Sequence, residues 1–371
     1  MDFRAAVMRQ NRAAIDIEEL RMRPLRPGEV MVRMAAAGVC HTDYEAWTGT
    51  FPTTLPTVLG HEGAGVVVEV GSAVKNLRTG DHVVCSIYPN CGACFYCRRT
   101  LPMLCEALPS REATPLRTPK DEPVGQFLHV SSFADYCIVP ATGAVRIPDA
   151  MPLDRACLLG CAVITGVGSV LRIANVQQGE SVAVVGCGAV GLNVVQGARM
   201  AGAGTIIAID THVAKLEKAR RYGATHQLLV GEDQPSIPEQ VRELTQGRGV
   251  DHSFEAAGIV NSLELALLCS RPGGTVTVLG KTAADSQIAI RFGALVGERR
   301  IRRSSLGGAR AQDDFPFYAQ AYLDGKLQLD DQIDDRVGLD GIEDAMLAIE
   351  KGAVIRTVVM LGEEAYPRSA P

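Results

Sequence analysis

The stretch SVAVVGCGAVGLNVV, Ser181–Val195, joins a strand-like apolar run to a helix-like run through Gly186, Gly188 and Gly191. In a G-x-G-x-x-G turn the first glycine permits the tight bend, the second lets backbone amides approach a pyrophosphate, and the third lets helix and strand pack closely. A glycine triplet alone says little. Here the next strand-like run, TIIAID, ends at Asp210, 19 positions beyond Gly191, where a carboxylate can accept hydrogen bonds from adenosine ribose hydroxyls. A ribose 2′-phosphate would be repelled there, so the stretch predicts a site for NAD in preference to NADP. The plainer reading is a glycine turn that serves packing only.

Working outward, HQLLVG, VDHSFEAAG and GTVTVLG read as further strands, and AVGLNVVQGARMAG and HVAKLEKARRYGA as helices between the early ones. This alternation predicts an α/β domain, a doubly wound parallel sheet with helices on both faces. From Arg4 to about Val145 the pattern differs. Short β-rich pieces (EVMVRMAAAG, GAGVVVEVG, DHVVCSIYP, FADYCIVP) are cut by Gly and Pro, which predicts a compact, antiparallel, barrel-like domain. The charged, Pro-rich EALPSREATPLRTPKDEPVGQ reads as a loop. After Leu306 two helical runs precede VIRTVVMLG, a strand expected to return to the first domain, so that the nucleotide domain is an insertion.

The net charge of -5 over 371 residues gives no electrostatic footprint for nucleic acid or anionic membrane, and favours a small-molecule partner. The basic run ERRIRR, Glu298–Arg303, reads as a charged loop or a subunit contact. No stretch holds the roughly 20 uninterrupted apolar residues of a transmembrane helix. The eleven cysteines are odd in number in a long chain, which fits reduced thiols, some of them metal-bound, in a cytoplasmic protein.

Four of them, Cys91, Cys94, Cys97 and Cys105, form a C-x2-C-x2-C-x7-C array. Four thiolates can close a tetrahedral shell around a structural zinc. Related spacings hold iron-sulfur clusters, and four unrelated reduced cysteines are the bland alternative. A second concentration of chemistry lies in AAAGVCHTDYEAWTG, where Cys40, His41, Thr42, Asp43 and Glu45 crowd one turn. A catalytic zinc needs three protein ligands and an open position. Companions for Cys40 are offered by LGHEGAG, with His61 and Glu62, and by LLGCAVITGVGS, with Cys161.

With these motifs in order, the sequence resembles the zinc-dependent medium-chain alcohol dehydrogenases from about Arg4 to Gly362, through GVCHTD, GHEGAGVV, GDHVV, the four-cysteine lobe, SSFADY, GCAVITGVGS, GCGAVG with Asp210, EAAG and VIRTVV. The resemblance implies a GroES-like catalytic domain at residues 1–162 with the zinc lobe at 90–106, a Rossmann domain at 163–305, and a return to the catalytic domain at 306–371. It implies that Cys40, His61 and Cys161 bind a catalytic zinc, the Cys2His set known from alcohol dehydrogenase, giving two zinc ions per chain. Asp43 would orient His61, Glu62 would lie behind the metal, and Thr42 would start a proton relay. Thr165 would lie beside the nicotinamide, with Lys215 at the adenosine ribose and Arg356 at the pyrophosphate. Many relatives end the relay with a histidine five positions after the first cysteine, where this chain has Glu45. His41, which would also touch the pyrophosphate, is then the preferred terminal base, because an imidazole titrates near neutrality and a carboxylate well below it. The remaining histidines, His82, His129, His212, His226 and His252, show no ligand spacing.

The activity implied is reversible oxidation of a primary alcohol to its aldehyde by a homodimer. Trp47, Phe51, Ile87, Phe127 and Leu128 match pocket positions and favour a hydrophobic or aromatic substrate. Alternatives are a thiol-adduct formaldehyde dehydrogenase, with Arg111 or Arg117 binding the cofactor's carboxylate, a biosynthetic reductase, and a non-catalytic NAD-binding protein.

Overall fold

The computed structural model describes residues 1–109, 114–231, 235–282, 286–352 and 354–362. Its contacts divide the chain into two units, Met1–Cys161 with Arg310–Pro371, and Ala162–Ala309.

The second unit is built on six parallel strands, in the spatial order His226–Leu229, Thr205–Asp210, Ser181–Val185, Val250–Glu255, Ser270–Val278 and Arg300–Arg303. The first strand in sequence lies inside the sheet and the chain winds outward from it both ways, which makes the doubly wound order. The central strands read as near-continuous apolar runs because both faces are covered. Val182, Ala183 and Val184 are completely buried, as are Ile207, Ala208 and Ile209.

In the first unit, Asp2–Met8, Ile15–Met22, Leu116–Arg117, Pro123–Gln126 and Thr57–Val58 close a small barrel. A separate seven-stranded sheet runs Ala144–Arg146, His82–Cys85, Glu62–Val70, Glu29–Val39, Thr357–Met360 and Asp335–Val337, with Tyr136–Pro140 paired to Glu29–Val39. Two features differ from the expectation. The barrel contains one parallel pair, Thr57–Val58 with Pro123–Gln126, and the Pro-rich segment expected to be only a loop supplies two of its strands. They are two and four residues long, too short to show a period. The barrel core gathers Phe3, Val7, Leu20, Trp47, Phe127 and Phe133. The late strand Thr357–Met360 pairs antiparallel with Glu29–Val39, Thr357 opposite Val39. That register brings Arg356 beside the strand end that leads into Cys40.

Among the described residues, no single helix is long and apolar enough to cross a membrane.

Candidate metal and cofactor sites

Strand Glu29–Val39 runs into Cys40, whose extended backbone caps helix His41–Thr48. The helix turns Asp43 back toward the cap. Its Oδ2 accepts the Cys40 N–H at 3.0 Å. Its Oδ1 accepts the Gly60 N–H at 3.0 Å and meets His61 Nδ1 at 3.0 Å. Asp43 is completely buried, so a single carboxylate ties the segment carrying Cys40 to the one carrying His61. With Nδ1 committed to Asp43, His61 presents Nε2, which is buried and has no hydrogen-bond partner among the described residues.

Donor atoms of Cys40, His61, Glu62 and Cys161 all lie within 4.8 Å of one another. The Cys40 and Cys161 sulfurs are 4.0 Å apart. Two sulfurs each about 2.3 Å from a tetrahedral zinc stand about 3.8 Å apart, while a disulfide needs about 2.0 Å. The spacing and the orphaned imidazole nitrogen both fit a metal ion. Glu62 adds a fourth donor. A Cβ on Gly38 would fall on Glu62 Oε2, so glycine is required there to leave room for the carboxylate. Arg356, expected at the pyrophosphate, has its buried guanidinium engaged within this site. Nη1 donates to the Val39 carbonyl at 2.7 Å and stands 3.1 Å from Glu62 Oε1, an ion pair without the angle of a hydrogen bond.

The charges are poised for a cation. The Cys161 thiol and the His61 imidazole hold Cys40 well below the ordinary thiol value despite its burial. Cys161, hydrogen-bonded to Cys40 and desolvated, is held well above it. Burial works against a charged His61, but Asp43 and Cys40 raise it well above the usual imidazole value. Burial pushes Glu62 up to about 8 against the pull of Arg356. Without metal these shifts favour the protonated forms of His61 and Cys161, whereas zinc takes neutral imidazole and thiolate. Adding zinc to metal-depleted protein is expected to release protons, and its affinity is expected to rise with pH through neutrality. Indicator-dye titration in weak buffer checks this, and zinc uptake without acidification would contradict it.

The second cluster is Cys91, Cys94, Cys97 and Cys105. Its sulfurs pair at 4.0 Å (Cys91 with Cys97) and 3.9 Å (Cys94 with Cys105), again too far for disulfides. Backbone N–H groups point at them: Ala93 and Cys94 at Cys91, Cys97 at Cys94, and Cys91 at Cys105, at 3.3 to 3.5 Å. Those donors stabilise thiolates, and four protein ligands leave no open position. The two clusters fit two zinc ions.

In the second unit, Gly186 has φ +93° and a Cβ there would lie 2.7 Å from the Ala257 nitrogen. A Cβ on Gly191 would fall on the Gly186 carbonyl oxygen, whereas nothing lies within 4 Å of one on Gly188. The first and third glycines are therefore demanded by packing, and the second leaves the open approach that a pyrophosphate needs. Asp210 ends its strand with both oxygens engaged. Oδ2 accepts the Cys187 N–H at 2.7 Å, inside the glycine turn, and Oδ1 accepts the His212 N–H at 2.9 Å. Lys215 lies in helix Val213–Arg221, and Thr165 lies, nearly buried, in helix Ala162–Gly168.

Of the relay candidates, His41 is exposed and Thr42 and Glu45 are half-buried, all on helix His41–Thr48. The His41 ring lies 5.4 Å from that of Tyr44, whose hydroxyl donates to Glu350 at 2.8 Å. The Phe127 ring is T-shaped to those of His61 and Phe51, with centroids 6.0 and 5.7 Å apart. Trp47 and Phe127, both expected to line the pocket, share the barrel core, where Trp47 donates its indole N–H to the Ala13 carbonyl. Arg117 stands 3.9 Å from Asp121, and Arg111 lies outside the described residues. Sequence reasoning missed Gly38 as the space for Glu62, and Ser131, which holds Phe127. Gly38 and Glu62 lie opposite each other in neighbouring strands, a register that local sequence does not disclose.

Two family models match, the alcohol dehydrogenase GroES-like domain over residues 26–149 and the zinc-binding dehydrogenase over residues 189–322. An S-(hydroxymethyl)glutathione dehydrogenase of Escherichia coli O1:K1 / APEC is 37% identical over 368 residues, 97% of this chain and 100% of that one. The chain belongs to the zinc-dependent alcohol dehydrogenase family. Among solved structures of this family's kind, an alcohol dehydrogenase zinc-binding domain protein from Burkholderia ambifaria superposes with a TM-score of 0.93 at 35% identity, covering 98% of this chain and 100% of that one. Benzyl alcohol dehydrogenase from Acinetobacter calcoaceticus gives 0.90 at 28% identity, with the same coverage. As a zinc-dependent alcohol dehydrogenase the chain is an oxidoreductase enzyme.

Proposed function

We propose that the chain oxidises primary alcohols with a hydrophobic or aromatic group, reversibly, to the aldehyde with NAD as acceptor. The observation that carries this reading is the Phe127 ring, packed T-shaped on both Phe51 and the His61 imidazole of the Cys40, His61, Cys161 site. When bound, zinc supplies Lewis acidity and NAD the hydride acceptor. The chain's own residues do the rest. Cys40, His61 and Cys161 hold the metal, Asp43 fixes the His61 tautomer, and Glu62 with Arg356 balances charge behind it. Thr42 accepts the alcohol proton and passes it on, since a hydroxyl can accept one proton while donating another. His41, exposed at the helix start, delivers it to solvent, with Glu45 one turn further along as the rival. Gly186, Gly188 and Gly191 receive the pyrophosphate, Asp210 and Lys215 the adenosine ribose, and Thr165 the nicotinamide side. Eleven reduced cysteines suit a reducing compartment, which favours the cytoplasm.

A second reading is favoured by the curated relatives named S-(hydroxymethyl)glutathione dehydrogenase: the substrate would be a thiol adduct of formaldehyde. NADH absorbance with benzyl, allylic and short primary alcohols, and with formaldehyde plus glutathione, separates the two. Highest kcat/KM for benzylic or allylic alcohols supports the first; turnover only with the adduct supports the second.

NAD is expected to give a higher kcat/KM than NADP. Asp210→Gly should narrow the gap, and because Asp210 also holds the Cys187 N–H, it should weaken binding of both cofactors. Equal efficiency in the parent would contradict the role of Asp210.

We also propose a homodimer. Arg300–Arg303 is the exposed edge of the six-stranded sheet, and an open edge is a template for pairing with a second copy. Sedimentation at micromolar protein should show a dimer; a monomer or tetramer would contradict it.

A further inference from the structure

The backbone that carries Phe127 is strained. Leu128, His129 and Ser131 have φ of +46°, +63° and +58°, a region that few residues other than glycine adopt. Strain of this kind persists only where the surroundings over-determine it, and it concentrates at functional sites. Here the surroundings can be named. The Ser131 hydroxyl donates to the Val58 carbonyl at 2.6 Å and accepts the Phe127 N–H at 2.8 Å. The Ser131 and Val130 N–H groups donate to the Phe127 carbonyl at 3.2 and 3.0 Å. Ser131 thus bonds Phe127 on both sides of its backbone, and it is completely buried. Beyond it, Ser132 and Phe133 donate to Gly60 and Leu59 at 3.0 and 3.1 Å. The segment is laced to residues 58–60, which run straight into His61.

The consequence is geometric. The Phe127 ring is referenced, through one hydroxyl and a short run of backbone bonds, to the segment that carries the metal-ligating imidazole 6.0 Å away. We infer that Ser131 is a specificity-determining positioning residue: its hydroxyl fixes the Phe127 ring against His61 and so sets the width of the aromatic wall that the alcohol meets. The inference rests on the alcohol reading proposed above. Ser131 touches no reacting atom and acts through Phe127. Loss of the hydroxyl unties the Phe127 N–H from the Val58 carbonyl, and the ring shifts relative to His61. A bulky aromatic substrate loses more from that shift than a small one, because more of its surface contacts the wall.

Three variants separate the hydroxyl from the strain. Ser131→Ala keeps the left-handed backbone and removes the bridge. Ser131→Gly removes the bridge together with that residue's share of the strain. His129→Gly relieves strain and keeps the bridge. The readout is the ratio of kcat/KM for benzyl alcohol to that for ethanol, with zinc content and Tm measured alongside. Both Ser131 variants are expected to lower the ratio by roughly tenfold, the scale of a misfit of about one methylene in an apolar pocket, with zinc retained, while His129→Gly stays within about twofold of the parent. A parental ratio in both Ser131 variants, even with lower Tm, overturns the inference, as does recovery of the ratio in Ser131→Gly. Calorimetric binding of the two alcohols gives the same comparison without turnover. A parent that binds them without oxidising them sinks the alcohol reading and still decides the role of Ser131; a parent that binds neither overturns both.

Discussion

Cys161→Ser is expected to bind one zinc per chain fewer than the parent and to lose turnover by about 10³-fold or more. Lewis-acid stabilisation is worth several kcal/mol, and each 1.4 or so is a decade in rate. The sulfur of Cys161 stands 4.0 Å from that of Cys40, with the orphaned Nε2 of His61 and the carboxylate of Glu62 in the same cluster. A serine hydroxyl is a harder, shorter and far less acidic ligand. The four-cysteine lobe shares no residue with this site, so its zinc should remain. Metal analysis with alcohol-driven NADH formation checks the pair of effects. Retention of both zinc ions, or of near-parental turnover, would contradict the assignment.

Asp43→Ala should act on metal affinity and on stability together. Three groups lose their acceptor, the Cys40 N–H, the Gly60 N–H and His61 Nδ1, in a position with no access to water. Each buried donor left unsatisfied costs roughly 1–3 kcal/mol, and loss of the partner that orients a metal-ligating histidine typically lowers metal affinity about 10–100-fold. Asp43→Asn keeps one acceptor oxygen and turns an amide toward donors, so it should fall between the two. Denaturant unfolding and competition with a zinc chelator measure both effects. Parental affinity and stability in Asp43→Ala would contradict the role given to this carboxylate.

The nucleotide turn was legible in the sequence because its constraints are local. Gly186, Gly188 and Gly191 meet their reasons within a few residues, and Asp210 follows at the end of the next strand. The metal donors were legible by residue type, but their assembly was not, since Cys40, His61 and Cys161 come from three separated segments and only the resemblance grouped them. Arg356 shows the limit more sharply. The resemblance assigns it to the pyrophosphate, while its partners within the chain, Val39 and Glu62, are set by the register of Thr357 on Val39. Local patterns carry no information about such a long-range register. The two short barrel strands in the Pro-rich segment escaped notice for a related reason, because two residues have no period. Ser131 was invisible as a positioning group: a serine pair in SSFADY does not disclose that one hydroxyl bridges Phe127 and Val58 from a left-handed backbone.

The central claim is that alcohol oxidation runs at the Cys40, His61, Cys161 site and needs the metal there. The most direct measurement is a zinc titration of metal-depleted protein in which bound zinc and benzyl alcohol-driven NADH formation are read on the same samples, for the parent and for Cys161→Ser. In the parent, activity should return in step with the zinc that Cys161→Ser fails to bind, reaching its maximum at two zinc ions per chain. Full NADH formation by protein holding only the zinc that both forms share, or by protein holding none, would contradict the account.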